Sequence, residues 1–201
     1  MGGSIRTLPV MNWKRILLAS PLAAVVAFFW GFVSWAMLPW HNPMNFKNSA
    51  AVSEAIKAAA PEHGIYMLPG GAESMSGEAG MKRIEEELKT GPFVWAVVRP
   101  SPTSMDMGGP MVLGFLRAFI AAVILSLMLS HPGRDCFRSR VLFCVTAYLL
   151  VSVNGEAPMW IWFHGPIQNL LILTADHLIE GLLVGLILAK FIRPAAVRTQ
   201  G

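Results

Sequence analysis

Residues 168–191 read QNLLILTADHLIEGLLVGLILAKF. As a helix rising 1.5 Å per residue, this stretch is about 36 Å long, enough to cross the hydrocarbon core of a bilayer. Three ionisable side chains, Asp176, His177 and Glu180, fall in its middle. A charge at that depth costs roughly 2.5–3.5 kcal/mol on insertion scales and turns toward a protein partner or a wet cavity. The stretch therefore predicts a polytopic membrane protein in which other helices meet these groups.

The rest of the chain agrees with that reading. It is 54% hydrophobic and only 14% charged over 201 residues, with apolar residues in long runs, which is membrane composition rather than that of a soluble core. Besides Gln168 to Phe191, three segments qualify as spans: Ile16 to Leu38, Met111 to Leu129, and Val141 to about Asn154. Asn154, Gly155, Glu156 and Pro158 interrupt the end of the third. Basic residues set the orientation. Arg6, Lys14 and Arg15 precede the first span, Arg134, Arg138 and Arg140 lie between the second and third, and Lys190, Arg193 and Arg198 flank the end of the fourth. Alternating helices bring all three groups to one side, which the positive-inside rule makes the cytoplasm, so both termini are expected there. The net charge of +4 sits in these clusters and calls for no nucleic acid.

The first apolar run is too long for the core of a cleaved signal, and Leu38-Pro39-Trp40-His41 offers no small-x-small cleavage site, so a retained anchor is expected. Cys136 lies in a predicted cytoplasmic turn and Cys144 in a span, where no structural disulfide is expected.

Three parts follow: residues 1–40 as cytoplasmic N-terminus and first helix, 41–110 as an extracytoplasmic α/β cap, and 111–201 as helices two to four with a cytoplasmic C-terminus. Within the cap, Asn48-Ser49 caps a short helix from Ala50 to Ala60, and Gly64 to Leu68 reads as a strand stopped by Pro69-Gly70-Gly71. Gly77 to Thr90 reads as an amphipathic helix with Met81, Ile84 and Leu88 on one face, supported by Glu78–Lys82 and Glu85–Lys89 pairs and ended by Gly91. Phe93 to Val98 reads as a second strand, and Ser101 to Pro110 as an irregular loop. The fold class expected is membrane all-α: four transmembrane helices with this cap between the first and second.

Asp176 falls about 12 Å and Glu180 about 18 Å from the outer start of the fourth helix, and Arg117 about 10 Å from that of the second. The matching depths predict an Arg117–Asp176 ion pair shared with Glu180, because a planar guanidinium can serve two carboxylates. Asn154 and Glu156 are expected to join it, making an intramembrane polar network of Arg117, Glu156, Asp176, His177 and Glu180. Gly181-x-x-x-Gly185, and Gly114-x-x-x-Ala118-x-x-x-Ala122 in the second span, permit close helix approach and suggest that helices two and four touch. Trp30, Trp35 and Trp40, with Trp160 and Trp162, read as an interfacial aromatic belt.

Catalytic signatures are missing: there is no Gly-x-Ser-x-Gly, no phosphate loop and no cysteine-based metal motif. His177, Glu180 and Asp176 are the metal-ligand candidates, since N and O donors at i,i+3 can meet one ion in a bundle. Met105, Met107 and Met111 around Asp106 are a copper alternative, though methionine also fills apolar gaps. No cofactor is the expectation ahead of a metal ion.

The run Phe28-Phe29-Trp30-Gly31-Phe32-Val33-Ser34-Trp35-Ala36-Met37-Leu38-Pro39-Trp40-His41 stands out. With Gly64-Ile65-Tyr66-Met67-Leu68-Pro69, and with Trp160-Ile161-Trp162-Phe163-His164-Gly165-Pro166 leading toward Asp176, it resembles a family of small four-span bacterial inner-membrane proteins. That family has no assigned activity, so the resemblance implies topology and envelope location alone. The function expected is that of a non-catalytic accessory or structural subunit in a larger inner-membrane complex. The partners expected are the bilayer and other membrane-protein subunits. The alternative is a membrane-embedded site for a metal ion, quinone or proton-coupled solute in the outer half of the bundle.

Overall fold

The structure, a computed structural model, describes residues 12–70 and 76–194. Arg6 and Arg198 of the basic clusters, and Gly71 of the predicted strand stop, lie outside the described residues. Among the described residues, four helices are long and apolar enough to cross a membrane: Trp13–Met37, Gly108–Leu129, Phe137–Trp162 and Ile167–Phe191. The chain forms two compact units, Met1–Asn42 with Asp106–Gly201, and Pro43–Met105.

The first unit begins with α1 (Trp13–Phe32), which continues as one π-helical turn, Val33–Met37. α4 (Gly108–Leu129) starts before the expected Met111, because Asp106 Oδ1 accepts the Gly108 N–H (2.9 Å) and Pro110 falls in the first turn, where no backbone donor is needed. α5 (Phe137–Gly155) breaks at Glu156, and the short α6 (Ala157–Trp162) continues at once. His164 then adopts a left-handed φ of 53°, and Gly165 tucks its N–H onto Met159 O (2.9 Å), where an added Cβ would sit 3.0 Å from that carbonyl. This tight reversal launches α7 (Ile167–Phe191).

Packing runs in the order α4, α1, α7, α5: α1 meets both α4 and α7, α7 meets α5, and α4 touches α7 only slightly. The small-residue stripes therefore serve other seams than the one expected. Ala118 and Ala122 are buried with Ala19, Ala23 and Ala27 of α1, and Gly114 faces Phe28. Gly181 and Gly185 lie against Tyr148 and Cys144 of α5, so close that an added Cβ would come within 2.8 and 3.0 Å of their Cβ atoms. Sequence marks a small-residue face, but not the helix it receives. Hydroxyl pairs tie the same seams, Ser20 to Ser126 (3.1 Å) and Ser152 to Thr174 (2.8 Å).

Arg140, placed by the sequence reading in the basic turn between the second and third spans, is buried. Its Nε and Nη2 donate to Ala189 O (3.2 and 3.0 Å), near the end of α7, and its Nη1 to Arg134 O and Asp135 O (3.1 and 2.8 Å). A cation at a helix C-terminus satisfies a late carbonyl and complements the dipole.

The second unit holds α2 (Ser49–Ala59), β1 (Gly64–Leu68), α3 (Gly77–Thr90) and β2 (Val94–Val98). Asn48 Oδ1 caps α2 by accepting the Ala51 N–H (3.0 Å). β1 and β2 pair antiparallel, from Gly64 opposite Val98 to Leu68 opposite Val94. On α3 only Ile84 is buried, whereas Met81 and Leu88 of the expected apolar face stay exposed. A two-stranded sheet is too small to cover a whole helix face.

Candidate functional site

The intramembrane polar groups form two clusters, one where α7 meets α1 and one where it meets α5 and α4, rather than the one network expected. The first joins α7 to α1. Trp30 Nε1 donates to Asp176 Oδ1 at 2.6 Å, and His41 Nε2 lies 3.6 Å from Asp176 Oδ2. The His41 side chain is only 3% exposed, stacked face to face on Trp35 at 3.9 Å, with Ser34 Oγ 3.1 Å from the same Nε2.

The π-helical turn explains how this cluster is assembled. Leu38 donates its N–H back five residues to Val33 O (3.0 Å), and Pro39 has no N–H to offer. Ser34 O is thus left without a donor from the next residues of the helix, and the Trp40 indole supplies one at 2.9 Å, also reaching Ser34 Oγ at 3.2 Å. Trp40 is folded back edge-on to Trp30 and His41, which carries the imidazole over Asp176. Such single-turn π segments recur at functional sites, where the extra residue re-aims side chains. Of the tryptophans expected in an aromatic belt, Trp35 is exposed on the π-helical turn, whereas Trp30 and Trp40 donate to protein acceptors. Sequence reasoning missed Trp30 and His41 as partners of Asp176 and Ser34 as the residue that holds Trp40 and His41, and the proline that strands Ser34 O was the available signal.

The second cluster joins α7 to α5 and α4. Tyr148 donates its hydroxyl to Glu180 Oε1 (3.2 Å), and Arg117 Nη2 stands 3.8 Å from the same oxygen. Arg117 is therefore associated with Glu180, and in place of the expected Arg117–Asp176 pair Asp176 is met by Trp30 and His41 from α1 and the chain just beyond it. Asp176 and Glu180 are separated by about 40° around α7, enough to send them to different neighbours. Tyr148 was the partner missed here, a phenol in mid-span whose hydroxyl needs an acceptor. His177 reaches neither cluster by hydrogen bond, and its buried Nδ1 has no partner among the described residues. Glu156 sits apart at the α5–α6 junction, beside Asn169.

Chemically, Ser34, His41 and Asp176 look like a nucleophile relay but lack its geometry. A relay uses the two ring nitrogens for base and orienting acid, whereas here Nε2 faces both Ser34 and Asp176. Among the described residues, no group of three or more His, Cys, Asp or Glu side chains is arranged to hold a metal ion, so Asp176, His177 and Glu180 do not make a ligand set. An apolar groove of about 520 Å³ runs between α1 and α7, lined by Val25, Phe29, Trp30, Ile179 and Leu183 among others.

No family model matches the sequence, and no match was found among curated proteins or solved structures.

Proposed function

We propose that the protein is a non-catalytic accessory subunit of a larger bacterial inner-membrane complex, with both termini in the cytoplasm and Pro43–Met105 in the periplasm. The observation that carries this reading is Arg117. Its side chain is 66% exposed, about 14 Å along α4 from Gly108, and its one carboxylate neighbour lies beyond hydrogen-bonding distance at 3.8 Å. A guanidinium facing lipid at that depth is costly, so a protein surface covering it is the economical state. Two internal clusters already use Asp176 and Glu180 to hold helices together, which suits a scaffold better than a reaction centre.

Native mass spectrometry of the protein, extracted gently from its own membranes without overexpression, tests the reading. Reproducible co-migration with other subunits is expected, whereas a free monomer or homo-oligomer carrying a metal or small molecule would favour the embedded-site alternative. The orientation has its own test. Cys136 is exposed in the α4–α5 turn, so an impermeant maleimide added to intact spheroplasts should spare it, while Met105→Cys should be labelled at once. Labelling of Cys136 from outside would reverse the topology.

A further inference from the structure

The sector of α7 between its two main neighbours is only partly covered. Thr174, Gly181 and Gly185 face α5, while Asp176 bonds Trp30 of α1 on the other side. At 100° per residue, Glu180 and His177 project into the sector between, toward α4. α4 closes it poorly, because it packs chiefly on α1, and α4 and α5 form no seam of their own although only a short turn joins them. By that geometry a lateral groove lies between α4 and α5, with buried Glu180 beneath it and exposed Arg117 beside it.

The groove has unspent hydrogen-bonding capacity. Arg117 carries five N–H donors and has no hydrogen-bond acceptor among the described residues. Its neighbouring carboxylate oxygen already accepts from Tyr148, and His177 Nδ1 in the same sector is unpartnered. Leu113, Arg117, Ile120 and Ile124 form one exposed stripe of α4, with apolar residues above and below a single cation.

We propose that this groove receives a transmembrane helix of a partner subunit, and that the helix carries an Asp or Glu at the depth of Arg117. The proposal rests on the accessory-subunit reading and names the chemistry of the contact. Depth favours a helix over an anionic lipid, whose headgroup stays at the bilayer surface while Arg117 lies well along α4. A second copy of the chain does not supply the acid. Within the four spans its acidic residues are Asp176 and Glu180, both engaged internally, and Glu156 at the end of α5. An apolar helix with one buried carboxylate would complete the guanidinium by a paired, charge-assisted contact and cover the stripe around it.

The test places the photo-crosslinking residue p-benzoylphenylalanine at Ile120, one turn from Arg117, in the full chain, with Leu182 on the exposed side of α7 as control. Cells are irradiated before extraction. The expected product is a polypeptide adduct, mapped to an apolar helix with Asp or Glu within one turn of the crosslinked residue and absent from the Leu182 control. Arg117→Gln should lower its yield by about tenfold, and Arg117→Lys should largely retain it. A phospholipid adduct, an adduct to a second copy, a helix without an acid, or a yield indifferent to Arg117→Gln would overturn the proposal. If Arg117→Gln fails to accumulate, the identity of the adduct in the otherwise native chain decides. Native mass spectrometry on the same extracts separates the two levels: a larger complex without the expected adduct sinks the groove and leaves the accessory reading standing, and a lone monomer sinks both.

Discussion

An indole N–H can only donate, so Trp30 deep in an apolar helix needs an acceptor, and Asp176 is that acceptor. Asp176→Asn keeps an amide oxygen at the position, whereas Asp176→Leu leaves the indole unsatisfied and costs about 1–3 kcal/mol. Thermal unfolding in mild detergent should therefore rank the native chain above Asn and Asn above Leu, and equal losses would mean that the Trp30 contact contributes nothing. Even the Asn variant is expected to impair accumulation or assembly in the membrane, read by blotting and native electrophoresis, because an amide NH2 replaces the oxygen that faces His41. In the second cluster, Tyr148→Phe removes one interhelical hydrogen bond and should cost about 0.6–1.7 kcal/mol, seen as a lowered Tm. The acids themselves were legible, because ionisable residues in an apolar run always need an explanation. Their partners were not, since equal depth says which residues are level with one another but not which way each one faces.

Helix seams obey the same limit. The sequence marks Gly181 and Gly185 as a close-approach face, yet the recipient is α5 and not α4, because hydropathy and small-residue spacing carry no lateral information. The structure turns that face into a quantitative expectation. A methyl at residue 181 would meet Tyr148 Cβ at 2.8 Å, and a Cβ cannot rotate away, so α5 and α7 would have to separate. Gly181→Ala should cost about 1–3 kcal/mol. Gly31→Ala, with nothing within 4 Å of the new methyl, should stabilise by about 0.4–1 kcal/mol through helix propensity, so the pair of Tm values separates packing from propensity. The π-helical turn was equally hidden. Pro39 announces that α1 stops, but not that the last turn widens to deliver Trp40 and His41 back onto α7. In the second unit both strands and both helices were legible almost to the residue, since caps, glycines and β-rich runs are local signals.

For the molecule as a whole, four spans and a small intervening α/β unit follow from composition and periodicity, whereas the helix order α4, α1, α7, α5 depends on contacts that no single segment encodes. That order makes Arg140 a brace between distant stretches of chain, joining the start of α5 to the end of α7 through two hydrogen bonds to Ala189 O and holding the preceding turn through two more. Arg140→Gln should lower stability by about 1.5–3 kcal/mol and raise exchange of the last amides of α7, measured by hydrogen–deuterium exchange. The order also has a temporal meaning. α7, made after every other span, has to slot between α1 and α5, so α5 leaves the ribosome with its glycine-receiving face bare. At about 5–20 residues per second, it waits roughly 2–7 s for Ile167–Phe191 to follow. During that interval the nascent chain offers membrane proteases an unclosed intermediate. Asp176 and Glu180 enter the bilayer only once Trp30, Arg117 and Tyr148 are all in place to receive them.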